Sequence, residues 1–376
     1  MKETQVTEQR KALIALTDFQ SVLPPIHLEQ EETLERLTAM HAARAPDDRK
    51  KSVAPLVKRY GVKPPKISSR RFEAVDFGER DATIQERALF FNDQAVRVFK
   101  TVYDNEASQN HPPAHLIHVT CTGYVSPSAA QLTANSLGWG DTTRITHAYH
   151  MGCYASLPAV RMAEGYISAL GDRGDKTSRA DIFHTEMCAL HMNPSNTSPE
   201  QLVVQSLFAD GHIKYSAVHP THAIHGFEVL TIREQILSES QNDMTWITAD
   251  GGMQMTLSRE VPSKIAAELR PFLTKLIAES GENFAETLKN AIFAIHPGGP
   301  KIIESVQETL ELSERQVEAS KEILKHRGNM SSATLPHVWQ KLLEAATPPG
   351  TIVVSLAFGP GLTIFGSVFR TVDRRK

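Results

Sequence analysis

At 376 residues the chain is too long for one ordinary core and has room for two domains or one duplicated fold. Apolar residues make up 41% and charged residues 22%, the profile of a compact globular protein and not of a disordered chain. With 40 basic and 43 acidic residues the net charge is −3, which excludes a global electrostatic field for nucleic acid or an acidic membrane; an anionic ligand must be held locally.

The polar start MKETQVTEQRK is followed by ALIAL, too short for a signal-peptide core or a membrane span, so a cytoplasmic protein is expected. ALIALTDF reads as a strand, Pro24 and Pro25 break it, and a helix is expected from about Leu28 to Ala43. Ala45 to Arg71 is basic and proline-containing, with KK, KR, KPPK and RR, and a solvated linker face is the ordinary meaning of such a run. Further strands are expected at His115 to Thr120, Thr143 to His150, Ala180 to Leu190, Ile213 to Val218, Phe227 to Ile232 and Met244 to Ala249. After Val261-Pro262, AAELRPFLTKLIAE carries apolar residues three and four apart, an amphipathic helix that Pro271 should kink. NAIFAIHPGG and TIVVSLAFGPGLTIFGSVF read as buried central strands that end at or cross glycine-proline turns. Strands alternating with helices make this an α/β chain. Two halves meeting near residue 220 are compatible with the order, and no repeat of 20 to 50 residues is present.

Three cysteines, Cys121, Cys153 and Cys188, have no CxxC pair and suit neither a disulfide framework nor a zinc site. Sixteen histidines include no HExxH, and His147 and His150 lie on a presumed strand where residues three apart face opposite ways, so no metal is expected. Cys153 follows Gly152 where RITHAYHMG meets the helical pattern ASLPAVRMAEGYISAL. A helix N-terminus lowers a thiol's pKa, and the thiolate is the form that attacks acyl carbon. A lone cysteine is more often a buried small hydrophobe. His296 ends the apolar run AIFAI before Pro-Gly-Gly-Pro, at the rim of a core, and Asn329 precedes a helical pattern, where its ordinary role is a cap or turn.

Cys153, then HPGGP, then GNMSSAT, then FGPGLT, in this order, resembles the pattern of type III polyketide synthases, the chalcone- and stilbene-synthase-like enzymes, in a bacterial-type variant. VTCTGYVSPSAAQL and QSLFADG resemble two further segments of that family, so the resemblance covers most of the chain. It implies a thiolase-like fold of duplicated α/β halves in a five-layered αβαβα core, residues 1–220 carrying the cysteine and 221–376 the histidine and asparagine. It also implies a decarboxylating acyltransferase: Cys153 takes the acyl starter, His296 keeps it ionised, and His296 and Asn329 hold the enolate left by a malonyl-type extender. Phe208 would gate the cavity, and Ser331, Gly359 and Gly361 would approach the thioester. His191 stands near a cavity position that plant enzymes give to a small hydroxyl residue, and Met255 near a second gating phenylalanine. Lys58, Lys66, Arg70 and Arg71 resemble in placement the cations that hold CoA phosphates or a carrier protein's acidic surface. No bound cofactor is implied, only CoA or carrier-protein thioesters as substrates, a pyrone or resorcinol-like product and a homodimer, although Ser126 stands near where plant enzymes place a methionine that reaches the partner subunit. Alternatives are a ketosynthase joining two carrier-bound chains and a β-ketoacyl synthase III-like initiating enzyme, against which the GPGLT ending argues. A non-catalytic binding module and a cysteine hydrolase complete the range.

Overall fold

The computed structural model describes residues 11–76 and 82–375. The first half runs β1 (Ile14–Val22), β2 (Ile26–Glu29), α1 (Gln30–Arg44), α2 (Lys50–Tyr60), β3 (Ser69–Phe72), α3 (Ile84–Tyr103), α4 (Glu106–Asn110), β4 (His115–Thr120), α5 (Ala129–Ser136), β5 (Arg144–Tyr149), α6 (Ser156–Asp172), β6 (Arg179–Met187), α7 (Pro199–Leu207) and β7 (Asp210–Val218). The second runs β8 (His225–Ile236), β9 (Met244–Ala249), β10 (Gly252–Leu257), α8 (Val261–Ser280), α9 (Phe284–Asn290), β11 (Ile292–Ile295), α10 (Pro300–Leu310), α11 (Glu314–Arg327), α12 (Thr334–Glu344), β12 (Ile352–Gly359) and β13 (Thr363–Asp373).

Nine strands form one sheet in the order β11-β12-β13-β8-β1-β7-β6-β4-β5. Its two halves join where β1 pairs antiparallel with β8, Ile14 opposite Val229 and Leu16 opposite Phe227. Alternation along each strand sends side chains to two different layers. In β4, Leu116 faces a cluster built on α3 and α5, while Ile117 and Val119 face α6 and α12. In β11, Ala294 faces that same α6–α12 layer, while Phe293 and Ile295 face α8 and α10. The result is helix, sheet, helix, sheet, helix, the five layers of a thiolase-like fold.

Local sequence explains most boundaries. Thr83 with Glu86 and Ser128 with Gln131 form capping boxes that start α3 and α5. α8 continues through Pro271 to Gly281, whose φ of +82° ends it. Leu269, Phe272, Leu273, Leu276 and Ile277 are all buried on both sides of that proline, and their burial offsets the ~3 kcal/mol that a helix-interior proline costs. The basic stretch is no linker: α2 buries Val53 and Val57, and β3 pairs with β2 from Ile26–Phe72 to Glu29–Ser69.

Candidate active site

β5 stops at Tyr149, His150 and Gly152 take φ values of +60° and +81°, and α6 begins at Ser156, so Cys153 sits in the tight turn between them. Glycine is required at 152: a Cβ there would lie 2.6 Å from the Pro360 ring, in a backbone conformation that L residues rarely adopt. Asn329 stands at the matching end of the second central helix. Its N–H donates to Leu207 O at 3.0 Å and its carbonyl accepts from Ala209 N at 2.8 Å, a bridge that straddles Phe208. Its Oδ1 accepts from Ser331 N at 2.9 Å and Thr334 Oγ1 at 3.3 Å, which turns the Nδ2 donor toward Gly298 O at 3.4 Å. His296 leaves β11 with its N–H on Leu356 O at 2.7 Å. Its imidazole is buried, and neither ring nitrogen has a hydrogen-bond partner.

Cys153, His296 and Asn329 line one outer cavity of about 690 Å³. Cys153 also lines an inner cavity of about 50 Å³ with Cys121, Cys188, His191, Phe208, Trp246, Met255 and Ser331. The thiol lies 3.8 Å from Ser331 Oγ. His191 is clamped across the inner cavity, Nε2 bonding Thr122 O at 2.8 Å and Nδ1 accepting from Met253 N at 3.1 Å. These bonds make it the Nε2–H tautomer. Trp246 Nε1 ties the β9–β10 hairpin to Cys121 O at 2.7 Å.

Burial overrides the expected helix-terminus activation of the nucleophile. Cys153 is still partly open to the cavities, but burial pushes its thiol up to about 12, against hydrogen bonds from Ser331 and Asn329 and with the Glu186 carboxylate pushing further. Burial also pushes His296 down to about 3. Burial thus opposes ionisation of both groups, favouring the thiol form of Cys153 and the neutral form of the His296 imidazole. The first helical residue of α6 is three positions beyond Cys153, where the dipole has little hold on the sulfur.

Several other expectations need correction. Arg70 cannot meet a CoA phosphate: it is fully buried, its Nε on Gln30 Oε1 at 3.0 Å and its Nη1 on the carbonyls of Gln205, at 3.1 Å, and Phe208. Arg71 is half-buried, donates to Pro24 O at 3.0 Å and lines neither cavity. Lys58 is exposed but outside the cavity walls, and Lys66 lines the outer cavity while paired with Glu304 at 2.6 Å. Gly359 and Gly361 line neither cavity either. A Cβ at 359 would run into the Tyr154 ring at 2.1 Å, and Gly361 has a φ of +138°, so both glycines serve packing and turn geometry. Arg59, Lys63, Arg259 and Lys301 are further exposed cations on the outer cavity wall, none of them marked by a motif. The first two lay inside the basic run; Arg259 and Lys301 carry no local signal. Among the described residues no His, Cys, Asp and Glu cluster suits a metal, and no helix is long and apolar enough to cross a membrane.

The model of chalcone and stilbene synthases matches with its N-terminal domain over residues 78–218 and its C-terminal domain over 228–373. Type III polyketide synthase C of Arabidopsis thaliana is 28% identical over 265 residues, 69% of this chain and 67% of that protein. The alpha-pyrone synthesis polyketide synthase-like Pks18 of Mycobacterium tuberculosis is 27% identical over 327 residues, 82% of this chain and 81% of that protein. Among solved structures, PKS-I from the brown alga Ectocarpus siliculosus shares the fold, with a TM-score of 0.83 at 20% identity over 97% of this chain and 100% of that one.

Proposed function

This chain belongs to the chalcone and stilbene synthase family and is a type III polyketide synthase; from that premise we propose that it loads an acyl group from CoA onto Cys153 and extends it with a malonyl thioester. One observation carries the reading: a thiol, an unpartnered buried imidazole and an oriented carboxamide share one cavity whose exposed wall bears Arg59, Lys63, Arg259 and Lys301.

As the Cys153 sulfur bonds to the acyl carbon, its proton passes to His296, and the imidazolium returns that proton to the departing CoA thiolate. The malonyl thioester then enters. Its carboxylate leaves as CO₂, and the electron pair of the broken C–C bond becomes an enolate. Its oxygen receives hydrogen bonds from neutral His296 and from Asn329 Nδ2, donors that stabilise it without protonating it. The enolate carbon attacks the acyl-Cys153 carbonyl, the C–S bond breaks to leave the Cys153 sulfur as a thiolate that takes up a proton from water, and a β-ketoacyl thioester results. Phe208, His191, Met255 and Ser331 shape the space for the acyl chain, with a pyrone or resorcinol-like compound as final product. The junction of the two family models between residues 218 and 228 supports halves joined near residue 220. The sheet's terminal strand β5, paired only with β4, supports a homodimer.

Intact-mass analysis after incubation with an acyl-CoA tests this. An adduct mapped to Cys153 is expected, and Cys153→Ala should remove it and lower condensation by at least about 10³-fold. An adduct that survives in the variant, or steady release of free acid without a malonyl donor, sinks the assignment.

A further inference from the structure

The side chain of Gln30, the first residue of α1, is fully buried and joins two parts of the molecule that lie far apart in sequence. Its Nε2 donates to Val62 O and to Ser206 O, both at 2.9 Å, and its Oε1 accepts from Arg70 Nε at 3.0 Å, so both N–H donors and the oxygen are engaged. Val62, between Arg59 and Lys63 in the chain, lines the outer cavity with these two exposed cations, and its N–H donates to the buried Ser206 hydroxyl at 2.9 Å. At the other end, Arg70 Nη1 donates to Gln205 O at 3.1 Å and to Phe208 O. Phe208 is the residue that the Asn329 backbone brackets, from Leu207 O to Ala209 N. Gly328 packs so closely here that a Cβ on it would lie 2.9 Å from both Arg70 Cδ and Leu207 O. An unbroken path of hydrogen bonds and close packing therefore runs from the cation-bearing loop to the Asn329 turn. Arg70 Nη2 has no partner. A buried guanidinium on neutral oxygens, with one nitrogen unsatisfied, is a costly way to tie off two carbonyls, and stability alone does not explain it.

We propose that Gln30 is a positioning residue that couples the nucleotide end of a CoA thioester, seated against Arg59 and Lys63, to the Phe208 carbonyl and the Asn329 turn, so that Asn329 Nδ2 is best set for the enolate when the phosphates are bound. The inference rests on the proposed CoA-dependent condensation. Binding energy from a part of the substrate that does not react raises kcat only where it alters the geometry at the reacting centre, and a contiguous packed, hydrogen-bonded path is the physical route for it. The loop of Arg59 and Lys63 is open to a ligand, whereas Gln30, Ser206 and Arg70 are buried. A close-packed interior passes on a displacement of Val62 instead of absorbing it.

The test uses Gln30→Met, which keeps the side-chain length, removes all three bonds and lies outside both cavity walls. Ser206→Ala, which removes only the hydroxyl that receives Val62 N, carries the same test should Gln30→Met fail to fold. With hexanoyl-primed Cys153, kcat and KM are measured for malonyl-CoA and for malonyl-N-acetylcysteamine, which has no nucleotide. The ratio of the two kcat values should fall at least about fivefold from wild type to variant. Equal loss of kcat with the two extenders, the mark of a purely structural role, or a change confined to KM for malonyl-CoA overturns the coupling. Amide exchange gives a reading independent of Cys153: saturating CoA should slow exchange at the Ala209 and Asn329 N–H groups at least about fivefold in the wild-type chain and less than about twofold in the variant. Equal slowing in both proteins also overturns it. If hexanoyl-CoA leaves no adduct on Cys153 of the wild-type chain, the proposed function fails instead, and amide exchange alone decides the role of Gln30.

Discussion

The two helices of the central layer each present a reacting group from the turn before their first residues, and the turns are built in opposite ways. The Cys153 turn is lightly held: Gly152 N donates to Cys121 Sγ at 3.0 Å, Ala155 N to Gly152 O at 3.1 Å, and the Cys153 sulfur has the Ser331 hydroxyl at a long 3.8 Å. The Asn329 turn is bonded at its backbone N–H and carbonyl and at both side-chain polar atoms, and Arg70 braces it from behind, 2.9 Å from where a Cβ on Gly328 would lie. A nucleophile must form and break bonds to carbon and so needs freedom. A donor to a developing oxyanion works by staying in place.

The sharpest way to break that contrast is to remove the donor alone. Asn329→Ala should lower the condensation rate by about 10²–10³-fold, the usual value of one oxyanion donor, while single-turnover acylation of Cys153, followed by mass, stays close to wild type. Equal losses in both steps would mean that the two turns act as one unit. Removing the brace comes next. Arg70→Met leaves the carbonyls of Gln205 and Phe208 without their buried charged donor and should destabilise the fold by about 3 kcal/mol in urea titration. Arg71→Ala should cost under about 1 kcal/mol, because its partner Pro24 O lies nearer solvent. A similar loss in both variants would show that the brace has no special place.

A pH profile tests the nucleophile turn. With the thiol pushed up to about 12, the thiolate fraction grows with pH across the whole neutral range. Alkylation of Cys153 by iodoacetamide should therefore rise about tenfold per pH unit from about pH 6 to about pH 10, without levelling near the ordinary cysteine value of about 8.5. A plateau beginning below pH 8 would mean that His296 or the α6 terminus holds a thiolate after all.

Much of the fold was legible because its signals are local. β4 and β9 begin and end where alternation placed them, β7 and β8 extend the expected spans, and β1 lies two to three residues further along the chain than expected. The nucleophile turn was legible as well, because a glycine between a strand and a helical pattern has few other uses. The basic stretch was not. Arg70 and Lys58 look alike in a run of cations, and only the carbonyls of Gln205 and Phe208, brought up to β3 by the fold, make one a buried brace and leave the other an exposed charge.

The amino-acid sequence by itself determined the α/β alternation, the family and the three residues at the centre of the proposed chemistry, because each is written in neighbouring residues or in motifs of fixed order. Tertiary structure alone decided which cations face the outer cavity, how tightly His191 and Trp246 close the inner one, and how strongly burial opposes ionisation of Cys153. Those properties depend on which distant segments exclude water from a site, and desolvation is a property of the assembled volume that no local pattern records.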